Sequence, residues 1–111
     1  MPRSSAAFMG GVPELLILKL LSRGEMYGYE LAKAVQAASA EALSLGEGVL
    51  YPALHVLEAG GALRARRRVV DGRTRIYYSL TDKGRRRLAA LSDRWRRVAG
   101  AVEAVMGGAH G

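Results

Sequence analysis

The sequence predicts a mainly α domain that carries one small β-hairpin and closes on a long C-terminal helix. Three observations predict it. Apolar residues recur at helical spacing before and after the hairpin. Two β-compatible runs, Leu63–Val70 and Arg73–Leu80, flank Asp71-Gly72, a pair that tolerates positive φ and favours a two-residue turn. Positive charge is crowded into the hairpin and the start of the last helix.

With 111 residues the chain is one domain, able to bury roughly two-thirds of the surface its unfolded form exposes. Half the residues are apolar and 24% are charged, which argues against disorder. Cysteine is absent, which excludes disulfides, thiolate metal sites and cysteine nucleophiles. His55 and His110 are the only histidines and lie far apart, so neither a zinc site nor a histidine triad is expected. No cofactor and no enzyme activity are expected. The longest apolar stretch, residues 12–21, contains Glu14 and Lys19 and is half the length of about 20 that a membrane span needs. The expected location is the cytoplasm, with no membrane partner.

Residues 1–11 read as a flexible arm. Pro13 suits the first turn of a helix that runs to about Ser22. Its leucines, among them Leu15 and Leu18, make it apolar on more than one face, as burial against two surfaces requires. Leu31, Ala34, Val35 and Ala38 mark a second helix over 28–38. A Gly-rich joint leads to a third over 49–59, with Leu50, Ala53, Leu54 and Leu57 as its buried stripe and Gly60-Gly61 as its stop. The hairpin follows. If Asp71-Gly72 is the turn, Arg68 faces Arg75, Arg66 faces Tyr77 and Leu63 faces Leu80. Two opposed arginines repel, so an anion between or beside them is expected.

Thr81 is placed to cap the last helix, with Asp82 in its first turn. Leu88, Leu91, Trp95, Val98, Val102 and Val105 then alternate at spacings of 3 and 4, a heptad seam. At 1.5 Å per residue, 81–106 extends roughly 39 Å, more than one small domain covers, so a second chain is expected on its far half. The division is an arm over 1–11, a DNA-binding domain over 12–80, a dimerisation helix over 81–106 and a flexible tail over 107–111. Three helices, a charged hairpin and a long helix, in that order, describe a winged helix-turn-helix with an added dimerisation helix.

The charge fits. Residues 1–63 carry a net −2, whereas 64–97 carry thirteen basic residues against Asp71, Asp82 and Asp93. Such crowding implies a polyanionic partner. On the third helix the outward row is Gly48, Tyr51, Pro52, His55 and Ala59, of which only His55 and the Tyr51 hydroxyl can hydrogen-bond a base or phosphate. Gly48 leaves the helix start open to a phosphate. On the wing, Arg64, Arg66, Arg67, Arg68, Arg73 and Arg75 can reach phosphates or the minor groove. Tyr27 and Tyr29 divide between packing and a phosphate contact, and Tyr51 between a core aromatic and a contact.

Tyr27-Gly28-Tyr29-Glu30-Leu31, Gly48-Val49-Leu50-Tyr51-Pro52-Ala53-Leu54, Leu57-Glu58 with Gly61, Tyr77-Tyr78, and Leu80-Thr81-Asp82-Lys83-Gly84 resemble the PadR family of bacterial transcriptional regulators. The resemblance covers about 12–106 and is nearest the small subfamily with a single final helix. It implies a homodimer on a palindromic double-stranded operator, usually as a repressor. It also implies, for some members, an effector in the dimer cleft beside aromatics of the last helix, here Trp95; the alternative is a plain seam residue. Val49 and Val56 depart from the Ser or Thr and the Arg that the family often has there, which removes two usual contacts. The expected interface is thus Tyr27, Tyr29, Gly48, Tyr51, His55, Arg64, Arg66, Arg68, Arg73 and Arg75. The expected dimer surface is Leu15, Leu18, Leu88, Leu91, Trp95, Val98, Val102 and Val105. A basic RNA-binding protein and a protein-interaction adaptor on the same fold are the alternatives. Glu25, Glu30 and Glu41 read as helix-surface carboxylates without partners.

Overall fold

A computed structural model describes residues 2–107, with side-chain surroundings from Gly11 onward. Its order is α1 (Pro2–Leu21), β1 (Met26–Tyr27), α2 (Gly28–Ala38), α3 (Glu47–Ala59), β2 (Leu63–Val70), β3 (Arg73–Leu80) and α4 (Asp82–Met106). The strands form one antiparallel sheet in the order β1-β3-β2. This is the winged helix the sequence predicts, with one strand more. β1 escapes a reading by pattern because two residues carry no periodicity; only pairing with Tyr77 and Tyr78 of β3 defines it.

The core lies where three helices meet the base of the sheet. Ile17, Leu18, Leu31 and Leu54 are fully buried there. Leu50, Leu57, Leu63, Tyr78 and Leu91 close around them. The stripe on α3 is as predicted, with Ala53 partly buried.

Capping explains most boundaries. The backbone N–H of Tyr27 donates to the Glu30 carboxylate at 3.2 Å, which starts α2. Gly46 caps α3, so Pro52 falls in its second turn and the helix opens two residues before the expected start. At the other end, Gly61 N–H donates to Glu58 C=O and Ala62 N–H to Leu57 C=O, with Gly61 at φ +85°: a Schellman ending that requires the left-handed backbone. Asp71 and Gly72, at φ 51° and 75°, form the turn, and the register pairs Arg68 with Arg75 and Leu63 with Leu80 as expected.

The first helix differs from expectation. It begins at Pro2, so Pro13 is interior rather than in the first turn, and the segment expected as a flexible arm over 1–11 lies largely within α1. Proline's fixed φ is already helical, and in a helix of 20 residues its missing N–H removes one ladder bond. Gly107 caps α4 in the left-handed region, while His110 and the rest of the tail lie outside the described residues.

One corner joins three elements. Thr81 caps α4 by accepting from Gly84 N–H at 3.0 Å, and its hydroxyl donates to Gly61 C=O at 2.6 Å. Thr81 N–H donates to Ala62 C=O at 3.1 Å. Gly84 packs so closely that a Cβ there would lie 2.1 Å from the Ala62 carbonyl oxygen. Gly84→Ala should therefore lower unfolding free energy by about 2 kcal/mol or more, because backbone must move. Gly100→Ala, with nothing within 4 Å of the new methyl, should raise it by about 0.5–1 kcal/mol. Urea melts of both variants check the contrast.

Candidate nucleic-acid interface

The helix-turn-helix is α2 and α3, and the outward row of α3 is solvent-exposed as predicted: Gly48, Tyr51, Pro52, His55 and Ala59. Val49 and Val56 are exposed on its flank, Val56 at 70%. Tyr51 is half-packed and half-exposed. A Cβ on Gly28 would lie 2.5 Å from the Tyr51 hydroxyl, so this glycine seats the ring at the α2 N-terminus, while 38% of the residue still faces solvent.

Between α3 and the wing lies a groove of about 410 Å³, lined by Tyr27, Gly28, Tyr29, Tyr51, His55, Thr74, Arg75, Ile76 and Tyr78. Burial pushes the Tyr78 hydroxyl up from the ordinary tyrosine range, and the Glu58 carboxylate adds to the shift, so this phenol stays neutral. Tyr29 is exposed, and the Lys33 ammonium lies 5.3 Å from its ring centroid.

The wing has an order that strand alternation predicts. Arg64, Arg66, Arg68, Arg73 and Arg75 share one face, whereas Arg67 shares the other with Ile76. On the arginine face four side chains stack. The Arg68 guanidinium lies 4.5 Å from the Tyr77 ring, Tyr77 meets Tyr27 edge-on at 5.3 Å, and the Arg75 guanidinium lies 4.4 Å from Tyr27. Each ring face attracts a cation, so the opposed arginines are held apart by partners rather than left to repel.

Glu25 is the residue that sequence reading missed. It stands just before β1, not on a helix, and its carboxylate accepts from Arg66 Nη2 at 2.8 Å and from Arg68 Nη1 at 3.0 Å. Of the opposed pair, Arg68 thus holds an anion that is part of the chain, whereas Arg75 meets the Tyr27 ring. The signal for it is Gly24, whose φ of +155° turns the chain into β1; without β1 in view, nothing in the sequence puts Glu25 near the wing. Glu30 is structural, as its bond to the Tyr27 N–H shows, and Glu41 sits in the left-handed joint after α2. Arg64, Arg67 and Arg73 make no ion pair among the described residues. Arg87 pairs with Glu14 of α1, and Arg97 with Asp93 one turn back.

The seam on α4 divides in two. Leu91 is buried and Leu18 fully buried in the chain's own core, so the expectation that these two face a second copy is corrected, while Leu88 is partly buried against the same core. Residues 17, 18, 20 and 21 of α1 all turn inward, which uses the face expected for a neighbour. Leu15 is partly buried against the same core. Trp95 is 40% exposed, Val102 51% and Val105 86%, with Val98 intermediate. A small crevice between α1 and α4 is lined by Val12, Leu15, Leu91, Arg94, Trp95 and Val98 with Gly11. Among the described residues no group of three or more His, Asp or Glu is arranged to hold a metal, and no helix is long and apolar enough to cross a membrane.

A winged helix with an exposed α3 and an arginine-faced wing defines a transcriptional regulator of the helix-turn-helix class. Residues 17–90 match the model of the transcriptional regulator PadR-like family. The chain belongs to that family, whose members are DNA-binding regulators and not enzymes. It is 38% identical over 101 residues to the transcriptional regulator Rv3488 of Mycobacterium tuberculosis, covering 91% of this chain and 89% of that one. Among solved structures, a transcriptional regulator from Clostridium thermocellum superposes with a TM-score of 0.80 at 26% identity, over 88% of this chain and 95% of that one. Bacillus subtilis PadR in complex with operator DNA gives 0.65 at 28% identity, over 71% of this chain and 45% of that one.

Hydrogen bonding from Arg66, opposed next by burial and reinforced by the charge of Arg66 and the bond and charge of Arg68, holds the Glu25 carboxyl below the usual glutamate range. A depressed folded value means that the pair's contribution is present above the unfolded value and is lost as pH falls through the folded one. The Glu25 carboxyl carbon, followed by NMR, should titrate below an unfolded-peptide glutamate. Arg66→Ala should move the midpoint back up; an unmoved midpoint would contradict the pairing.

Proposed function

We propose that the chain is a homodimeric repressor that binds a palindromic double-stranded operator and is released by an effector. The observation that carries the DNA reading is the set of wing arginines on one face of the hairpin, of which Arg75 lines the groove shared with Tyr51 and His55 of the exposed α3 row. The similarity to a PadR solved on operator DNA supports it. In this reading α3 enters the major groove and offers His55 and the Tyr51 hydroxyl, with Gly48 leaving room for a phosphate at its first turn. Arg64 and Arg73, and with them Arg66, Arg68 and Arg75, take backbone phosphates on either side of a minor groove. Tyr27 and Tyr29 stand at the α2 N-terminus, where a phosphate would meet the helix dipole. Base-reading groups are few, so affinity is mostly electrostatic and specificity draws on DNA shape.

The dimer rests on the exposed half of the α4 seam, Trp95, Val98, Val102 and Val105, with Leu15 of α1 beside it. In this reading a second copy would cover the crevice that Trp95 helps line, which is where an effector would bind. An RNA-binding role is disfavoured because RNA readers present aromatics for base stacking, whereas Tyr27 and Tyr77 already hold wing arginines.

Duplex affinity should fall steeply with salt, with Arg73→Ala weakening binding to any sequence and lowering the log–log slope by about 1. A salt-insensitive affinity would remove the wing from the interface. For the dimer, Val102→Asp puts a charge on a surface exposed in the single chain, so it should fold normally yet sediment as a monomer at concentrations where wild type is dimeric. Trp95→Asp should act in the same direction. A dimer as tight as wild type in both variants would rule out the seam.

A further inference from the structure

We propose that Glu25 is a built-in stand-in for DNA phosphate, which occupies the Arg66 and Arg68 guanidiniums in the free protein and so discounts binding to non-operator DNA. This rests on the reading of the wing as the phosphate-contacting element.

The geometry is that of anion recognition. Both carboxylate oxygens lie 2.8 Å from Arg66 Nη2, and one lies 3.0 Å from Arg68 Nη1. Carboxylate and phosphate oxygens use the same N–H donors of a guanidinium, so a duplex phosphate reaching either arginine competes with Glu25. Of the five arginines on this face, these are the two that hold a carboxylate among the described residues. The competitor is placed by the backbone: Met26 and Tyr27 pair with Tyr78 and Tyr77, which fixes the preceding residue at the wing's flank. The Tyr77 ring lies 4.5 Å from the Arg68 guanidinium, so the guanidinium stays aimed whichever anion it holds.

The contact is exposed enough to exchange. Solvent reaches 61% of the Arg66 side chain, 45% of Arg68 and 31% of Glu25, and ion pairs in such settings hold weakly. Glu25 therefore taxes binding without blocking it. A duplex whose groove presents phosphates at the spacing of both arginines displaces the carboxylate at once; one that offers a single phosphate leaves Glu25 on the other guanidinium, beside the DNA backbone. The first case recovers the lost contact, and the second does not.

The test uses fluorescence anisotropy with a labelled duplex of mixed sequence, at several salt concentrations. Glu25→Gln should bind this duplex about three- to tenfold tighter than wild type at about 50 mM salt, with a log–log salt slope steeper by about 1. The gain should vanish when Arg66 and Arg68 are both changed to Gln. Glu25→Asp, whose shorter side chain reaches the pair less well, should give a smaller gain of the same sign and covers the case in which the Gln variant folds poorly. Equal or weaker binding by folded Glu25→Gln, or a gain that persists without the two arginines, would overturn the proposal. Wild type that fails to bind the duplex at any salt would instead overturn the reading of the wing itself, and this proposal with it.

Discussion

The corner formed by Gly61, Ala62, Thr81 and Gly84 holds together three parts that must act as one. The Ala62 carbonyl accepts the Thr81 N–H and is covered by Gly84, while the Thr81 hydroxyl ties the end of α3 to the start of α4. Through these contacts the end of α3, the base of the wing and the root of α4 share one short piece of backbone. The helix proposed to read DNA and the helix proposed to pair with a second copy are then rigidly related. In the proposed dimer this relation sets the distance between two copies of α3, and with it the spacing of half-sites. The Schellman ending of α3 and the N-cap of α4 each close within their own helix and are joined by the Thr81 hydroxyl on the Gly61 carbonyl, and both Gly61 and Gly84 need to be glycine: one for its left-handed φ, the other for close approach.

The wing is organised by aromatic rings as much as by charge. Tyr27 and Tyr77 sit between Arg68 and Arg75 and give each a cation-binding face, so a cross-strand pair that would repel becomes part of a stack. Guanidiniums held this way lose less freedom when they meet a phosphate than free side chains would. The proposed competition by Glu25 then acts on aimed groups, which is why a single carboxylate can matter.

The helices, the hairpin, its turn and its register were legible because they rest on local signals: glycine stops, the Asp71-Gly72 turn and the Thr81 cap. The exposed row of α3 followed from helical spacing alone. What was not legible depends on contacts between distant segments. β1 exists only through β3, Glu25 meets the wing only because β1 does, and the arginine stack needs both. The burial of Leu91 within its own chain has a similar origin: a heptad pattern shows which residues of α4 line up, but not where α1 stops covering them. Leu88 and Leu91 look the same in sequence as Val102 and Val105, and the fold separates them. The interior placement of Pro13 was hidden because a proline fits a first turn and a long helix interior by the same fixed φ.

The central claim is that two copies of this chain read a two-fold symmetric site through α3 and the wing. Selection of bound duplexes from a random pool, followed by footprinting of the winners, tests it most directly. The account predicts a palindrome whose half-sites are about one helical turn apart, with protection extending over the flanking minor grooves where the wings lie. Enrichment of an asymmetric or single half-site, or no enrichment over the starting pool, would contradict it.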